Sequence, residues 1–207
     1  MRLSDLKYEF TLILMKFIRF LKIQFISTDD ICSRITPYAG SSLSFGKKEI
    51  INLICNVLPN PKIKILDVGP GRGIYNNLLK EKGYYDFDAV EMYRPYIEKF
   101  NLSKIYSNVF NENIINFKYD YYDLIIFGDV LEHLKVKDAK RVISFAQNHS
   151  KLIIVSVPFC DYQIGQQLDG SGDHKQYDLT RDIFLKRFDN FNLLIDNQDI
   201  GIFYSLT

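Results

Sequence analysis

The chain has 207 residues, with 26 lysines and arginines against 25 aspartates and glutamates, 47% hydrophobic residues and 25% charged ones. That composition suits one sizeable folded core and excludes disordered, collagen-like and histone-like roles, since a net charge of +1 supplies no basic field. Cys32, Cys55 and Cys160 lie far apart without a CxxC pair, and an odd count cannot all pair within one chain, so free thiols in a reducing, cytoplasmic setting are expected and no zinc cluster is visible.

In the first 26 residues the run from Phe10 to Ile26 looks apolar at first sight, but Lys16, Arg19 and Lys22 interrupt it. Its longest charge-free stretch, Phe10 to Met15, is far short of the ~18 apolar residues of a spanning helix. It is also below the usual apolar core of an export signal. At ~100° per residue, Asp5, Glu9, Lys16, Arg19 and Lys22 gather on one side, with Phe10, Leu14, Phe17, Ile18, Leu21 and Phe25 on the other. The pattern predicts an amphipathic helix packed on the rest of the domain, with contact to a membrane surface as the alternative. Residues 1–46, closed by the polar loop from Tyr38 to Gly46, are expected to form this helix and a cap or lid segment; residues 47–207 form the main domain.

Further along, short runs rich in β-branched and aromatic residues predict strands at Ile63–Val68, Phe87–Glu91, Lys104–Val109, Asp123–Phe127, Lys151–Val157, Phe191–Asp196 and Ile200–Leu206. Helical patterns fall between the first five, at Tyr75–Glu81, Pro95–Phe100, weakly near Glu112–Ile115, and at Val136–Asn148. This alternation implies βαβ units and a parallel sheet with helices on both faces. After a long polar connection, a helix at Thr180–Phe188 precedes the last two strands. The short turn Asn197–Asp199 between those strands predicts a closing antiparallel hairpin.

The sharpest local feature is the sequence KILDVGPGRGI from Lys64 to Ile74, three glycines directly after a strand and before a helix. Such a turn lets backbone approach a ligand closely. The spacing is Gly69, Gly71, Gly73, and Ile74 stands where a dinucleotide fingerprint needs its last glycine; no Gly-Lys-Ser/Thr follows either. Dinucleotides and P-loop nucleotides are therefore disfavoured, leaving a nucleoside ligand without a pyrophosphate. Asp67 at the end of the first strand suits a cationic ammonium, and Glu91 at the end of the second can accept both hydroxyls of a ribose.

Together, DVGPGRG from Asp67 to Gly73, Glu91, and FGDVLEHL from Phe127 to Leu134 resemble the motifs of class I S-adenosylmethionine-dependent methyltransferases, over roughly residues 60 to 160. The resemblance implies a Rossmann-like, doubly wound, mostly parallel seven-stranded α/β sheet with the C-terminal antiparallel hairpin and the added N-terminal helix. It implies S-adenosyl-L-methionine as cofactor, with Gly69, Gly71 and Gly73 lining its methionine part, Asp67 fixing the turn or the amino group, and Glu91 on the ribose. Asn108 stands where relatives carry an aspartate facing the adenine amine, and Asp129 is expected near the sulfonium.

Methyl transfer from a sulfonium is an in-line displacement, so the enzyme aligns the acceptor, excludes water and removes a proton. Of the three histidines, His149 at a helix end is assigned a structural or surface role and His133 a helix-start role. His174 belongs to the twenty-residue connection from Pro158 to Tyr177, the kind of long loop that carries function, and a histidine beside such a loop resembles the pattern in small-molecule and sugar methyltransferases. His174 is thus the expected base, with Tyr177, Asp161 and Asp173 as substrate contacts. The expected acceptor is a small polar molecule, a hydroxyl of a sugar or nucleotide-sugar, with no nucleic-acid partner and no metal. The competing arrangement is a metal set of Asp129, Glu132, His133 and His174, similar to that of small-RNA ribose 2′-O-methyltransferases. A quinone or lipid acceptor, using the N-terminal helix at a membrane surface, and a non-catalytic cofactor-binding regulator are the remaining alternatives.

Overall fold

Alternation of apolar side chains to both sides of each central strand builds two cores, one on each face of a single sheet. The computed structural model describes residues 45–159 and 174–207. The expected N-terminal helix and cap within residues 1–46, apart from Phe45 and Gly46, lie outside the described residues, as do Asp161 and Asp173. The elements are α1 (Lys47–Val57), β1 (Lys64–Val68), α2 (Ile74–Lys80), β2 (Asp86–Val90), α3 (Arg94–Lys99), β3 (Asn108–Phe110), β4 (Tyr122–Gly128), α4 (Val136–Asn148), β5 (Ser150–Pro158), α5 (Arg181–Arg187), β6 (Asn192–Asp196) and β7 (Ile200–Leu206). Short 3-10 turns occupy Leu102–Lys104 and Leu131–His133.

The seven strands lie in the order β3-β2-β1-β4-β5-β7-β6. Pairs among the first five are parallel, and β7 runs antiparallel to both β5 and β6. The expected mostly parallel α/β sheet with a terminal antiparallel hairpin is therefore observed. The hairpin is not simply appended, because β7 inserts between β5 and β6.

On one face Leu66, Val68, Ile125, Phe127, Ile153 and Val155 meet the stripe Ala139, Val142, Ile143 and Ala146 of α4, spaced as one side of a helix must be. On the other, Ile65, Leu124, Ile126, Leu152 and Ile154 meet Ile50 and Ile54 of α1 and Leu79 of α2. Central strands buried on both sides explain the unbroken apolar runs in the sequence.

Two local expectations are corrected and one helix is added to them. The helix Lys47–Val57 was not anticipated, although Ile50, Ile51 and Ile54 give it a buried stripe. No helix forms near Glu112–Ile115; there the Asn113 side chain accepts from the Ile115 amide at 3.0 Å, a local turn that competes with helix. The third strand is Asn108–Phe110, not Lys104–Val109, because Leu102–Lys104 is taken up by the 3-10 turn. No helix among the described residues is long and apolar enough to cross a membrane.

Candidate active site

The strand order reverses between β1, which leads on to β2 and β3, and β4, which leads on to β5. Loops from the carboxyl ends of β1 and β4 diverge to opposite sides there and leave a crevice. The glycine turn leaves β1 at this point. Gly69, Gly71 and Gly73 all have φ between 52° and 72°, the left-handed region that costs a side-chain-bearing residue strain. Close approach adds a second reason: a Cβ on Gly73 would fall 2.7 Å from Ile105 and 3.3 Å from the Tyr106 hydroxyl, and one on Gly69 would fall 2.7 Å from Val130. The Gly69 amide donates to the Val90 carbonyl at 2.9 Å, tying the turn to β2.

Asp67 lies beneath this turn and is 1% exposed. The Tyr106 hydroxyl donates to its Oδ2 at 2.6 Å, while Oδ1, equally buried, makes no hydrogen bond. Burial pushes the Asp67 carboxyl up to about 7, against the opposing pulls of the Tyr106 hydrogen bond and the Lys47 ammonium. Burial, then Asp67 and Glu91, push the Tyr106 phenol far above its ordinary value, so it stays a hydrogen-bond donor.

Glu91 follows β2, nearly buried, with its amide on the Phe110 carbonyl at 3.0 Å and its Oε1 accepting from the Tyr93 amide at 2.7 Å. Asp129 follows β4 with φ of 57°, an unusual backbone conformation for a residue other than glycine. Its amide donates to the Ser156 carbonyl at 3.0 Å and its Oδ1 accepts from the Ser156 hydroxyl at 2.8 Å, which holds the side chain against β5. Asp67, Glu91 and Asp129 thus occupy the carboxyl ends of three adjacent strands.

Asn108 is not brought to the turn. It is the first residue of β3, paired with Asp88, and its amide donates to Asp88 Oδ1 at 2.7 Å. Asp88 also accepts from the Tyr122 hydroxyl at 3.0 Å, forming a polar cluster further back along the sheet. The residue of this segment that reaches the carboxyl edge is Asn111, whose side-chain amide donates to the Glu91 carbonyl at 2.9 Å. The cause is the displaced start of β3.

His174 comes to the site through backbone contacts of its neighbours. The Lys175 and Gln176 amides donate to the Glu132 carbonyl at 2.6 and 3.2 Å, and the buried Gln176 side chain donates to the Leu131 and Leu134 carbonyls at 2.7 and 3.0 Å. Arg187 on α5 in turn donates to Gln176 Oε1 at 2.7 Å and pairs with Asp178 at 2.6 Å. This strap sets the His174 ring edge-on against His133, with centroids 4.7 Å apart. Glu132 is 1% exposed, its Oε1 stands 3.8 Å from His133 Nε2, and its Oε2 is buried without a hydrogen bond. Burial, reinforced by Asp129, raises the Glu132 carboxyl well above the usual range. One ligand atom from each of Glu132, His133 and His174 lies within 4.8 Å of the others; Asp129 is not part of this group. Tyr177 is exposed. His149, at the end of α4, stacks on Phe145 at 4.6 Å, away from these residues in sequence and in partners.

Sequence reasoning missed Tyr106 and Gln176, and the Lys47 ammonium that acts on Asp67. Tyr106 was read as one more apolar strand residue, and nothing local marks its hydroxyl as the partner of a carboxylate 39 positions earlier.

Comparison with known proteins agrees with this geometry. Residues 43–199 match the family model described as a methyltransferase domain, and the chain belongs to that family; it is an S-adenosylmethionine-dependent methyltransferase of class I fold. Among solved structures it is similar to an O-methyltransferase family protein from Burkholderia thailandensis at 12% identity and TM-score 0.54, covering 77% of this chain and 55% of that one. This chain thus spans about half of that protein's length. A bacterial CtHen1 methyltransferase domain matches at 18% identity and TM-score 0.54 over 77% of this chain and 98% of that one. The N-terminal domain of EvdMO1, determined with SAH bound, matches at 9% identity and TM-score 0.58 over 86% of this chain and 94% of that one. A second structure of that domain was determined in the presence of SAH and D-fucose. No curated protein matches the sequence.

The buried carboxyl of Asp67 makes a prediction about stability. Its pKa rises from the ordinary 3.8 to about 7 on folding, so the folded state favours the neutral acid. This group's contribution is full below pH 3.8 and is lost as pH climbs through 7. Asp67→Asn is neutral throughout, so between about pH 4 and pH 8 it should gain on the wild type by roughly 4 kcal/mol. Urea midpoints at the two pH values check this, and parallel pH dependence in both proteins would contradict it.

Proposed function

We propose that this methyltransferase moves the methyl group of S-adenosylmethionine to a hydroxyl oxygen of a small polar acceptor, of the sugar or nucleotide-sugar kind. The carrying observation is the imidazole of His174 held against His133 beside Asp129 and Glu132, at the carboxyl end of the strand next to the glycine turn. A carbon–oxygen bond forms as the carbon–sulfur bond breaks; the sulfonium becomes a neutral thioether, and the hydroxyl proton passes to His174 as base. Gly69, Gly71 and Gly73 would bear the methionine part of the donor, Asp67 its ammonium side, Glu91 its ribose, and Asp129 the sulfonium side. The O-methyltransferase name of one structural neighbour and the D-fucose used with another support an oxygen acceptor of sugar type.

A second reading adds a divalent cation. It is favoured by the carboxylate and two imidazoles of Glu132, His133 and His174 offering ligand atoms within 4.8 Å, with one Glu132 oxygen buried and unbonded. This mixed oxygen and nitrogen set fits magnesium or manganese. Bound there, such an ion would hold acceptor oxygens and favour their deprotonation. Under this reading a ribose 2′-hydroxyl of RNA, with its vicinal oxygen, becomes a suitable acceptor.

Glu91→Ala should weaken binding of S-adenosylhomocysteine by ~1–3 kcal/mol, the loss expected when a charged hydrogen-bonding partner of the ribose is removed. Unchanged affinity by calorimetry would contradict the ribose assignment. His174→Ala should lower turnover on a responsive sugar acceptor by ~10²–10⁴ while donor affinity holds. Turnover that survives chelation supports the metal-free reading. Activity abolished by EDTA and restored by manganese, with oligoribonucleotides methylated at a 2′-hydroxyl, would replace it with the second.

A further inference from the structure

The 3-10 turn Leu131–His133 bears Glu132 and His133, and its carbonyls are met by one short segment of chain. The Lys175 and Gln176 amides both donate to the Glu132 carbonyl. The Gln176 side-chain amide spans the turn, donating to the Leu131 carbonyl at 2.7 Å and the Leu134 carbonyl at 3.0 Å. Leu131 and Leu134 are themselves buried, so the carbonyls that receive the amide are fixed points. Gln176, 1% exposed, thus commits both of its side-chain N–H donors to the turn, and only its oxygen is left to satisfy.

Arg187 supplies that partner. Its guanidinium donates to Gln176 Oε1 at 2.7 Å and grips the Asp178 carboxylate with two further bonds, at 3.1 and 2.6 Å. A guanidinium has no acceptor, so only the oxygen end of the amide can face it. The nitrogen end is thereby turned to the Leu131 and Leu134 carbonyls; a flipped amide would set Nε2 against the cation and Oε1 against two carbonyl oxygens. Two bonds from a planar fork also fix the direction in which Arg187 points. Its base is firm as well. Arg187 ends α5, whose start is capped by the Thr180 hydroxyl accepting from the Ile183 amide, and Phe184 of that helix and Leu179 before it are fully buried.

We infer that Arg187 is a positioning residue for methyl transfer: it orients the Gln176 amide, and Gln176 in turn holds His174 against the turn that bears Glu132 and His133. The inference rests on His174 as the base. A reacting group misplaced by about 1 Å through a change remote from the chemistry loses about 100-fold in rate. Apolar packing would fix the separation of the two segments but leave them free to slide, whereas bonds of set direction to three carbonyls of one turn fix both separation and register. None of these bonds involves the glycine turn, Asp67 or Glu91, so the device acts on acceptor activation and leaves donor binding alone.

Nuclear magnetic resonance on the full chain with S-adenosylhomocysteine reads the geometry through cross-relaxation between the His133 and His174 ring protons, since those rings stand edge-on with centroids 4.7 Å apart. Arg187→Met should abolish that signal and let the Gln176 side-chain amide protons, slow to exchange in the wild type, exchange freely. Arg187→Lys, still a donor without an acceptor, should keep most of both. On the sugar acceptor used for His174→Ala, Arg187→Met should lower turnover about 10- to 100-fold with donor affinity unchanged, and should lower it no further once His174 is alanine. Gln176→Met, which leaves the pair of Arg187 and Asp178 in place, is the independent variant and should show the same pattern. A further loss in the His174→Ala background, a matching loss of donor affinity, or a ring signal that survives Arg187→Met would overturn the positioning role. Failure of the chain to fold with either change would overturn it too, by showing the strap to be a stability element. Full turnover in His174→Ala refutes the base itself, whereas loss there and none in Arg187→Met refutes Arg187.

Discussion

The hydrogen bond from Tyr106 to Asp67 is the constraint on which the rest of the site depends. A carboxylate with 1% of its surface exposed is costly to bury, and here a single phenol at 2.6 Å and a nearby ammonium offset part of that cost. The same phenol lies 3.3 Å from where a Cβ on Gly73 would sit, with Ile105 nearer still at 2.7 Å, so the glycine turn packs directly against the segment that satisfies Asp67. A side chain at Gly73 would run into Ile105, the neighbour of Tyr106, and removing Tyr106 would leave Asp67 buried with neither oxygen hydrogen-bonded. The turn, the carboxylate and the phenol form one unit drawn from β1, from the turn itself and from the segment before β3.

Around that unit the site is assembled by ends of elements. Parallel strands aligned in register bring Asp67, Glu91 and Asp129 to one edge, although 24 and 38 positions separate consecutive members of the set. Helices packed on both faces close the sheet off from water and leave the edge as the surface where polar chemistry is exposed. The left-handed backbone at Asp129 and its double contact with Ser156 hold that carboxylate against β5, at the carboxyl end of β4. Local strain of this kind persists where surrounding contacts over-determine it.

A second polar assembly holds His174 to the 3-10 turn after β4. Gln176 is buried and spends its amide on two carbonyls of the 3-10 turn that bears Glu132 and His133, with Arg187 and Asp178 completing the strap. A buried amide with each of its groups bonded orders two chain segments relative to each other, which an apolar contact could not do with the same directional precision. The consequence is a His133 and His174 pair formed from residues 41 positions apart.

Much of this was legible in the residue order. The run DVGPGRG after an apolar strand, an acid at the end of the next strand, and GDVLEH after the fourth are local patterns, and local patterns survive as positions in the fold because strand ends and turns are set by neighbouring residues. The strands β1, β2, β4, β5 and β7 and the helix α4 were likewise legible, since burial on one or both faces imposes a period on the sequence. The beginning of β3 was not, because a three-residue edge strand has too short a pattern to compete with the turn that precedes it. Also illegible were the insertion of β7 between β5 and β6, the Tyr106 bond to Asp67, the arrival of Lys47 at the site, and the strap that joins His174 to His133. Each is a meeting of residues distant in sequence, decided by which surfaces pack together and which buried polar atoms must find partners, and no window of neighbouring residues contains that information.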